Sequence, residues 1–257
     1  MNNKAVRVER SGNYLTITMD RARQRNVLSL AFMAELIEAF KGAGESDALA
    51  VILAAEGPVF SAGHDLREMS GANLPEMRKL LWTCTELMTL MQRIPQVVVA
   101  RVQGLATAAG CQLVASADLA VAAETARFAT PGGKGGWFCH TPQVAVARNI
   151  GRKRAMEMAL TGEEIDASTA LDWGLVNRVV PIDALEAATL ELLELATRGS
   201  PMSKGIGKQA FYAQLDMPQH QAYAYAVEVM ASTSQTADAR ERMNAFLEKR
   251  PPNFVNY

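Results

Sequence analysis

Apolar and polar positions alternate in residues 6–10 and again in 14–19, on either side of Ser11, Gly12 and Asn13, which predicts a β-hairpin. The period then changes. After a polar, arginine-rich stretch at 20–25, Phe32, Leu36, Ile37 and Phe40 recur at helical spacing behind Ser29, a residue type that caps helix N-termini. Gly42 and Gly44 end that pattern, and apolar runs of strand length follow at 49–55, 96–101 and 118–122. A long helix is predicted between them at about 75–93. From Thr141 onward helical spacing dominates, broken by one strand at 175–180. Beyond Pro201, the segments 202–215, 219–231 and 235–248 each have helical periodicity. Strand–strand–helix order recurs without a residue-level repeat, which predicts a mixed α/β core. We place that core in residues 1–200 and a C-terminal helical region in 201–257.

Two short stretches carry the candidate chemistry. In Gly104-Leu105-Ala106-Thr107-Ala108-Ala109-Gly110-Cys111-Gln112-Leu113, small residues let the chain leave the 96–101 strand and turn sharply into a helix that continues over 113–117. The first free N–H groups of that helix fall near Ala109 and Gly110. A helix N-terminus carries roughly half a positive charge, so it can hold a developing oxyanion. In Ser61-Ala62-Gly63-His64-Asp65-Leu66-Arg67 a second strand opens into a second helical segment and can supply another backbone donor. Two such donors facing each other would form an oxyanion hole.

Composition narrows the class. The chain has 257 residues, 49% of them apolar, with a net charge of −1, enough to bury a sizeable core. Lysines and arginines form no long runs, which argues against nucleic acid and anionic membranes as partners. No apolar segment reaches the roughly 18 residues of a membrane span, and the start MNNKAVRVER lacks a signal-peptide core. A soluble cytoplasmic protein is expected. Cys84, Cys111 and Cys139 are widely spaced, as suits free thiols; no metal site is expected.

The paired stretches resemble the crotonase superfamily, the enoyl-CoA hydratase/isomerase family, over nearly the whole chain. That resemblance implies a ββα spiral core, an acyl-CoA thioester as substrate with coenzyme A as part of it, and no tightly bound cofactor. It places the oxyanion donors at the N–H groups of His64 and Ala109, with Ala62, Gly63, Asp65, Leu66 and Gly110 shaping the site. Arg23, Arg25 and Arg67 match stretches that contact coenzyme A, and the C-terminal helices match a region used for trimers, commonly within a hexamer. Within the superfamily, residues 56–66, 104–116 and 128–132 look like the enoyl-CoA hydratase domain-containing protein 3 group.

The resemblance also exposes a departure. Hydratases of the family use two glutamates to place a water and move its proton; here the matching positions hold Gln112, whose amide does not titrate, and Gly132, which has no side chain. Each general acid or base is worth roughly 10²–10⁴-fold, so the usual hydration route is weakened. The naphthoate synthase branch also has glycine at the Gly132 position, where exogenous bicarbonate can stand in for the carboxylate. Gly132, Gly133, Gly135 and Gly136 lack the GxxxxGK[ST] context of a phosphate loop and read as room for an acyl chain. His64 reads as a polar residue near the pocket mouth, its side chain nearly free to vary because the donor is backbone. His140 matches a catalytic aspartate of the dienoyl-CoA isomerase branch; an imidazole there could exchange a proton near neutral pH, or simply cap a helix. Two readings stay open: a crotonase-family lyase or isomerase of fatty acid metabolism, and a non-catalytic acyl-CoA-binding or assembly protein. A homotrimer or dimer of trimers is expected from the apolar C-terminal helices.

Overall fold

The computed structural model describes residues 5–255; residues 1–4, part of the start MNNKAVRVER, and 256–257 lie outside it. In chain order come strands β1 (Val6–Ser11) and β2 (Tyr14–Met19), helix α1 (Leu30–Gly44), strands β3 (Ala50–Ala55) and β4 (Val59–Ser61), and helices α2 (Leu66–Ser70) and α3 (Leu74–Arg93). Next are β5 (Val97–Val102), β6 (Leu105–Thr107), α4 (Ala109–Ser116), β7 (Leu119–Ala123), β8 (Arg127–Ala129), α5 (His140–Ile150) and α6 (Arg152–Thr161). The chain closes with β9 (Ile165–Asp166), α7 (Ala167–Trp173), β10 (Arg178–Val180), α8 (Leu185–Thr197), α9 (Pro201–Gln214), α10 (Gln219–Thr233) and α11 (Ala237–Leu247).

The strands divide between two sheets, ordered β1-β2-β3-β5-β7-β10 and β4-β6-β8-β9. In each repeat the first strand joins the large sheet, the second joins the small one, and a helix returns. Thus β3 is followed by β4, β5 by β6, and β7 by β8, giving the expected ββα spiral. Period two along the large sheet sorts its side chains between two cores. Val51 and Leu53 of β3, with Val98 and Ala100 of β5, face a core that includes Phe32, Phe40, Leu87 and Met91 from α1 and α3. Ala50, Ile52 and Val99 face the other side, where Leu185 and Leu193 of α8 cover them.

Caps set the helix starts. The Ser29 side chain accepts from the Phe32 N–H at 3.2 Å, and Asn73 and Glu76 form a reciprocal capping box at the start of α3. The helix after the small-residue turn begins at Ala109, as expected. Two expectations shift. The turn itself contains β6. The strand expected at 175–180 shrinks to Arg178–Val180, because Gly174 caps α7 in the left-handed region and the Leu175 N–H bonds back to Ala170 O at 2.8 Å.

The C-terminal helices are not uniformly peripheral. From α9, Lys208 reaches under α3, its Nζ 2.7 Å from Asp118 Oδ2 and donating to the carbonyls of Met91 and Gln96, each at 2.7 Å. Tyr212 Oη donates to Asp118 Oδ1 at 2.9 Å, and the Val98 N–H donates to Asp118 Oδ2 at 2.7 Å. Burial raises the Asp118 pKa and lowers that of Lys208, the partner's charge opposing the shift in each case. In contrast α10 has no buried residue, and Met230 is 77% exposed. Among the described residues no helix is long and apolar enough to cross a membrane.

Candidate active site

The donors arise from a count of backbone hydrogen bonds. At the end of β4, the Ala62 N–H goes to Arg25 O at 3.0 Å, the Gly63 N–H to Ser61 Oγ at 3.3 Å, and the Asp65 N–H to Leu28 O at 3.4 Å. Between them, the His64 N–H has no partner among the described residues. The arm is held from behind by Asn26, which is fully buried. Its side chain donates to Glu56 O at 3.0 Å and Val59 O at 2.9 Å, and Ser61 Oγ donates to its carbonyl at 2.8 Å. Sequence reasoning passed over Asn26; an Asn beside an apolar run at a strand exit was the available signal.

The second arm is the start of α4. Ala108 has φ 52° and ψ −119°, a conformation alanine adopts only when its surroundings impose it, at a cost of about 1–3 kcal/mol. Its N–H is pinned to Ala129 O at 2.9 Å and its carbonyl takes the Gln112 N–H at 3.1 Å. The Ala109 N–H is left free among the described residues, at the positive end of α4. The two arms touch. At Gly63, with φ +82°, a Cβ would lie 3.2 Å from Ala109 N, and at Gly110 it would lie 2.2 Å from Ser61 O. Glycine at these two positions lets the arms close on each other.

Both donor residues line a cavity of about 540 Å³, together with Ala62, Leu66, Met69, Leu81, Gly132, Trp137, Cys139 and His140. Among the described residues no Asp, Glu, Lys or Arg lines it. The His64 side chain sits deeper than a pocket-mouth residue: Nδ1 lies 3.4 Å from Leu28 O, and Nε2 is enclosed without a partner among the described residues. Burial lowers its pKa, so it rests neutral. His140 is the first residue of α5, exposed, with its ring 5.1 Å from that of Phe138. The structure thus brings His64, Ala109, Gly132 and His140 to one cavity.

Gln112 does not join them. It is 5% exposed in the α3–α4 interface, where its Oε1 lies 3.9 Å from Cys84 Sγ, and it is not among the cavity-lining residues. Gly132 lines the cavity, yet the space beside it belongs to the chain itself: a Cβ there would be 2.1 Å from Trp137 O and 2.7 Å from Cys139 Sγ. At Gly133 a Cβ would meet Ala159 O at 2.5 Å. Glycine at these positions therefore makes room for backbone, which corrects the acyl-chain reading there; Gly135 and Gly136 remain uncrowded. Arg23, Arg25 and Arg67 are all exposed, and Asp65 caps α2 by accepting the Arg67 N–H at 3.0 Å. Cys84, Cys111 and Cys139 are free thiols; burial pushes Cys84 and Cys111 up to about 12. Among the described residues no three His, Cys, Asp or Glu side chains gather as metal ligands would.

A spiral of ββα turns whose second strands deliver two free N–H groups to an apolar cavity defines the crotonase class of protein. The enoyl-CoA hydratase/isomerase family profile matches residues 9–256, and the chain belongs to that family. It is 42% identical over 252 residues to the mitochondrial enoyl-CoA hydratase domain-containing protein 3 of Danio rerio, covering 96% of this chain and 86% of that one. It is 44% identical to the Mus musculus protein of the same name, over 92% of this chain and 79% of that one. Among solved structures, the human enoyl Coenzyme A hydratase domain-containing protein 3 superposes with a TM-score of 0.93 at 39% identity, covering 98% and 100% of the two chains. An enoyl-CoA hydratase of Mycobacterium smegmatis reaches 0.94 at 44% identity, covering 97% and 98%. The expected cytoplasmic location is overturned by these comparisons, since the Danio rerio, Mus musculus and Homo sapiens relatives are named as mitochondrial proteins.

Proposed function

We propose that this cavity binds an acyl-CoA thioester and stabilises its carbonyl oxygen, as an oxyanion or enolate, through the N–H groups of His64 and Ala109. The observation that supports this is the pair of unpartnered N–H groups on touching backbone arms. One such donor is worth on the order of 2.7–4 kcal/mol in a transition state. Arg23 and Arg25, in the stretch between β2 and α1, and Arg67, on α2, are exposed near the first arm and would meet the nucleotide phosphates of coenzyme A. Calorimetric titration with acetyl-CoA or crotonyl-CoA tests the reading, which fails if neither binds up to millimolar concentration.

Proton transfer falls to His140 in this reading, because it is an exposed imidazole at the cavity and neither Gln112 nor Gly132 can titrate. His140→Ala should then lower the kcat of any thioester reaction found by roughly 10²-fold or more; an unchanged kcat leaves His140 structural. One observation favours a second reading, a non-catalytic acyl-CoA-binding protein: among the described residues no carboxylate lines the cavity. A turnover screen over enoyl-, acyl- and 3-ketoacyl-CoA thioesters separates the two.

For assembly we propose a homotrimer or dimer of trimers formed through the C-terminal region, residues 201–257. A groove of about 700 Å³ between α9 and α10, lined by Ile206, Phe211, Tyr223 and Met230, supports it, as do exposed Phe246 and Leu247 on α11. Light scattering that found a monomer at micromolar concentration would rule this out.

A further inference from the structure

Cys139 differs from the other two cysteines. Cys84 and Cys111 are fully buried, whereas Cys139 is half-buried and lines the cavity that holds both free N–H donors. Its sulfur accepts the Gly132 N–H at 3.2 Å and stands 2.7 Å from where a side chain of residue 132 would begin. Cys139 also occupies the N-cap position of α5, an 11-residue helix whose dipole favours negative charge there. Elsewhere the cavity presents apolar side chains, two hydroxyls (Thr107 and Thr141), the enclosed His64 ring and His140. The strongest nucleophile facing a bound acyl group is therefore a soft sulfur.

Resting on the proposed thioester binding, we infer that Cys139 adds to the double bond of α,β-unsaturated acyl-CoA thioesters, so that the protein captures them covalently. Polarisation of the thioester carbonyl by the His64 and Ala109 N–H groups withdraws electrons from the β-carbon. The thiol loses its proton to water, and the sulfur lone pair forms the C–S bond at the β-carbon. The π pair moves to the α-carbon and carbonyl oxygen, giving the enolate that the two N–H groups hold. A proton from water then adds at the α-carbon. The adduct is the sum of protein and thioester, with no redox change and no leaving group. A saturated acyl-CoA has no electrophilic β-carbon and would bind without reacting. Burial holds the Cys139 thiol above its ordinary pKa, opposed by the Gly132 N–H, so the acceleration must come from the polarised acyl group.

The test is intact-mass spectrometry of the full chain, acid-quenched after incubation with crotonyl-CoA, with butyryl-CoA in parallel and butyryl-CoA affinity measured by calorimetry. We expect a mass gain of one crotonyl-CoA, none with butyryl-CoA, peptide mapping to Cys139, and a rate at least tenfold above that of glutathione at the same pH. Excess butyryl-CoA should slow the reaction, and Cys139→Ser should abolish it. Mapping on the wild-type chain decides the site even if that variant misfolds. Butyryl-CoA binding without an adduct overturns this inference while leaving the proposed function standing. Absence of all thioester binding overturns both. An adduct on Cys84 or Cys111, or a rate no greater than glutathione's, shows adventitious alkylation and also overturns it.

Discussion

Gly110, where the two donor arms meet, and Gly132, which lines the cavity, make the same steric demand in different surroundings. A Cβ on Gly110 would stand 2.2 Å from Ser61 O; on Gly132 it would stand 2.1 Å from Trp137 O. Ser61 cannot retreat. It is fully buried in β4, which pairs with β6, and its hydroxyl is bonded to Asn26 O. Trp137 lies in the irregular segment 134–139, where Gly135 and Gly136 have open space and the indole is 51% exposed. In the proposed function, the wall that would polarise a carbonyl is fixed by backbone on backbone. The wall that would move protons is an irregular segment.

The largest break in this comparison should come from Gly110→Ala. With a clash against pinned backbone, the variant should lose on the order of 3 kcal/mol of stability, read from the urea midpoint, and should lose acyl-CoA binding with it. Gly132→Ala puts an equal overlap on the yielding wall. We expect a loss of about 1 kcal/mol, with butyryl-CoA binding retained; equal losses in the two variants would show that both walls are equally rigid. The smallest effect probes the fixed wall by pH. Burial lowers the His64 pKa, so the unfolded chain binds a proton first as pH falls below the ordinary histidine value of about 6.5. The stability contributed by neutral His64 is complete above that value and is lost as pH falls toward the folded-state pKa. His64→Leu should flatten that part of the acid limb in urea melts collected from pH 7 to pH 5.

Much of this architecture was legible in the sequence. The hairpin, the capped α1 and α3 and the buried strands of the large sheet follow from period, length and cap residues, because each is long enough to show its own pattern. The small sheet was not legible: β4, β6 and β8 are three residues each, too short for alternation to register. The two donor turns could be found from their small residues and motif. Their geometry could not, since nothing local tells Ala108 to adopt a positive φ; Ala129 O and the helix beyond it impose that conformation. Likewise Gly132 reads as an absence in the sequence, whereas in space Cys139 and Trp137 fill what is missing. Gln112 was placed by motif beside a water, and packing places it against Cys84.

The grip of Lys208 and Tyr212 on Asp118 bears on how such a chain can be cut or recombined. Asp118 begins two residues after α4 ends, so one short span joins the donor helix to the segment that α9 holds. An α9 lacking these two side chains would leave the Asp118 carboxylate enclosed without its ammonium or phenol partner, a loss of roughly 3–5 kcal/mol for a pair of this kind. The last helices therefore cannot be exchanged between homologues as a cassette unless a lysine and a tyrosine travel at matching positions, or Asp118 is replaced with them. Shuffling experiments that splice at residue 200 should yield folded protein only from donors that keep this trio together.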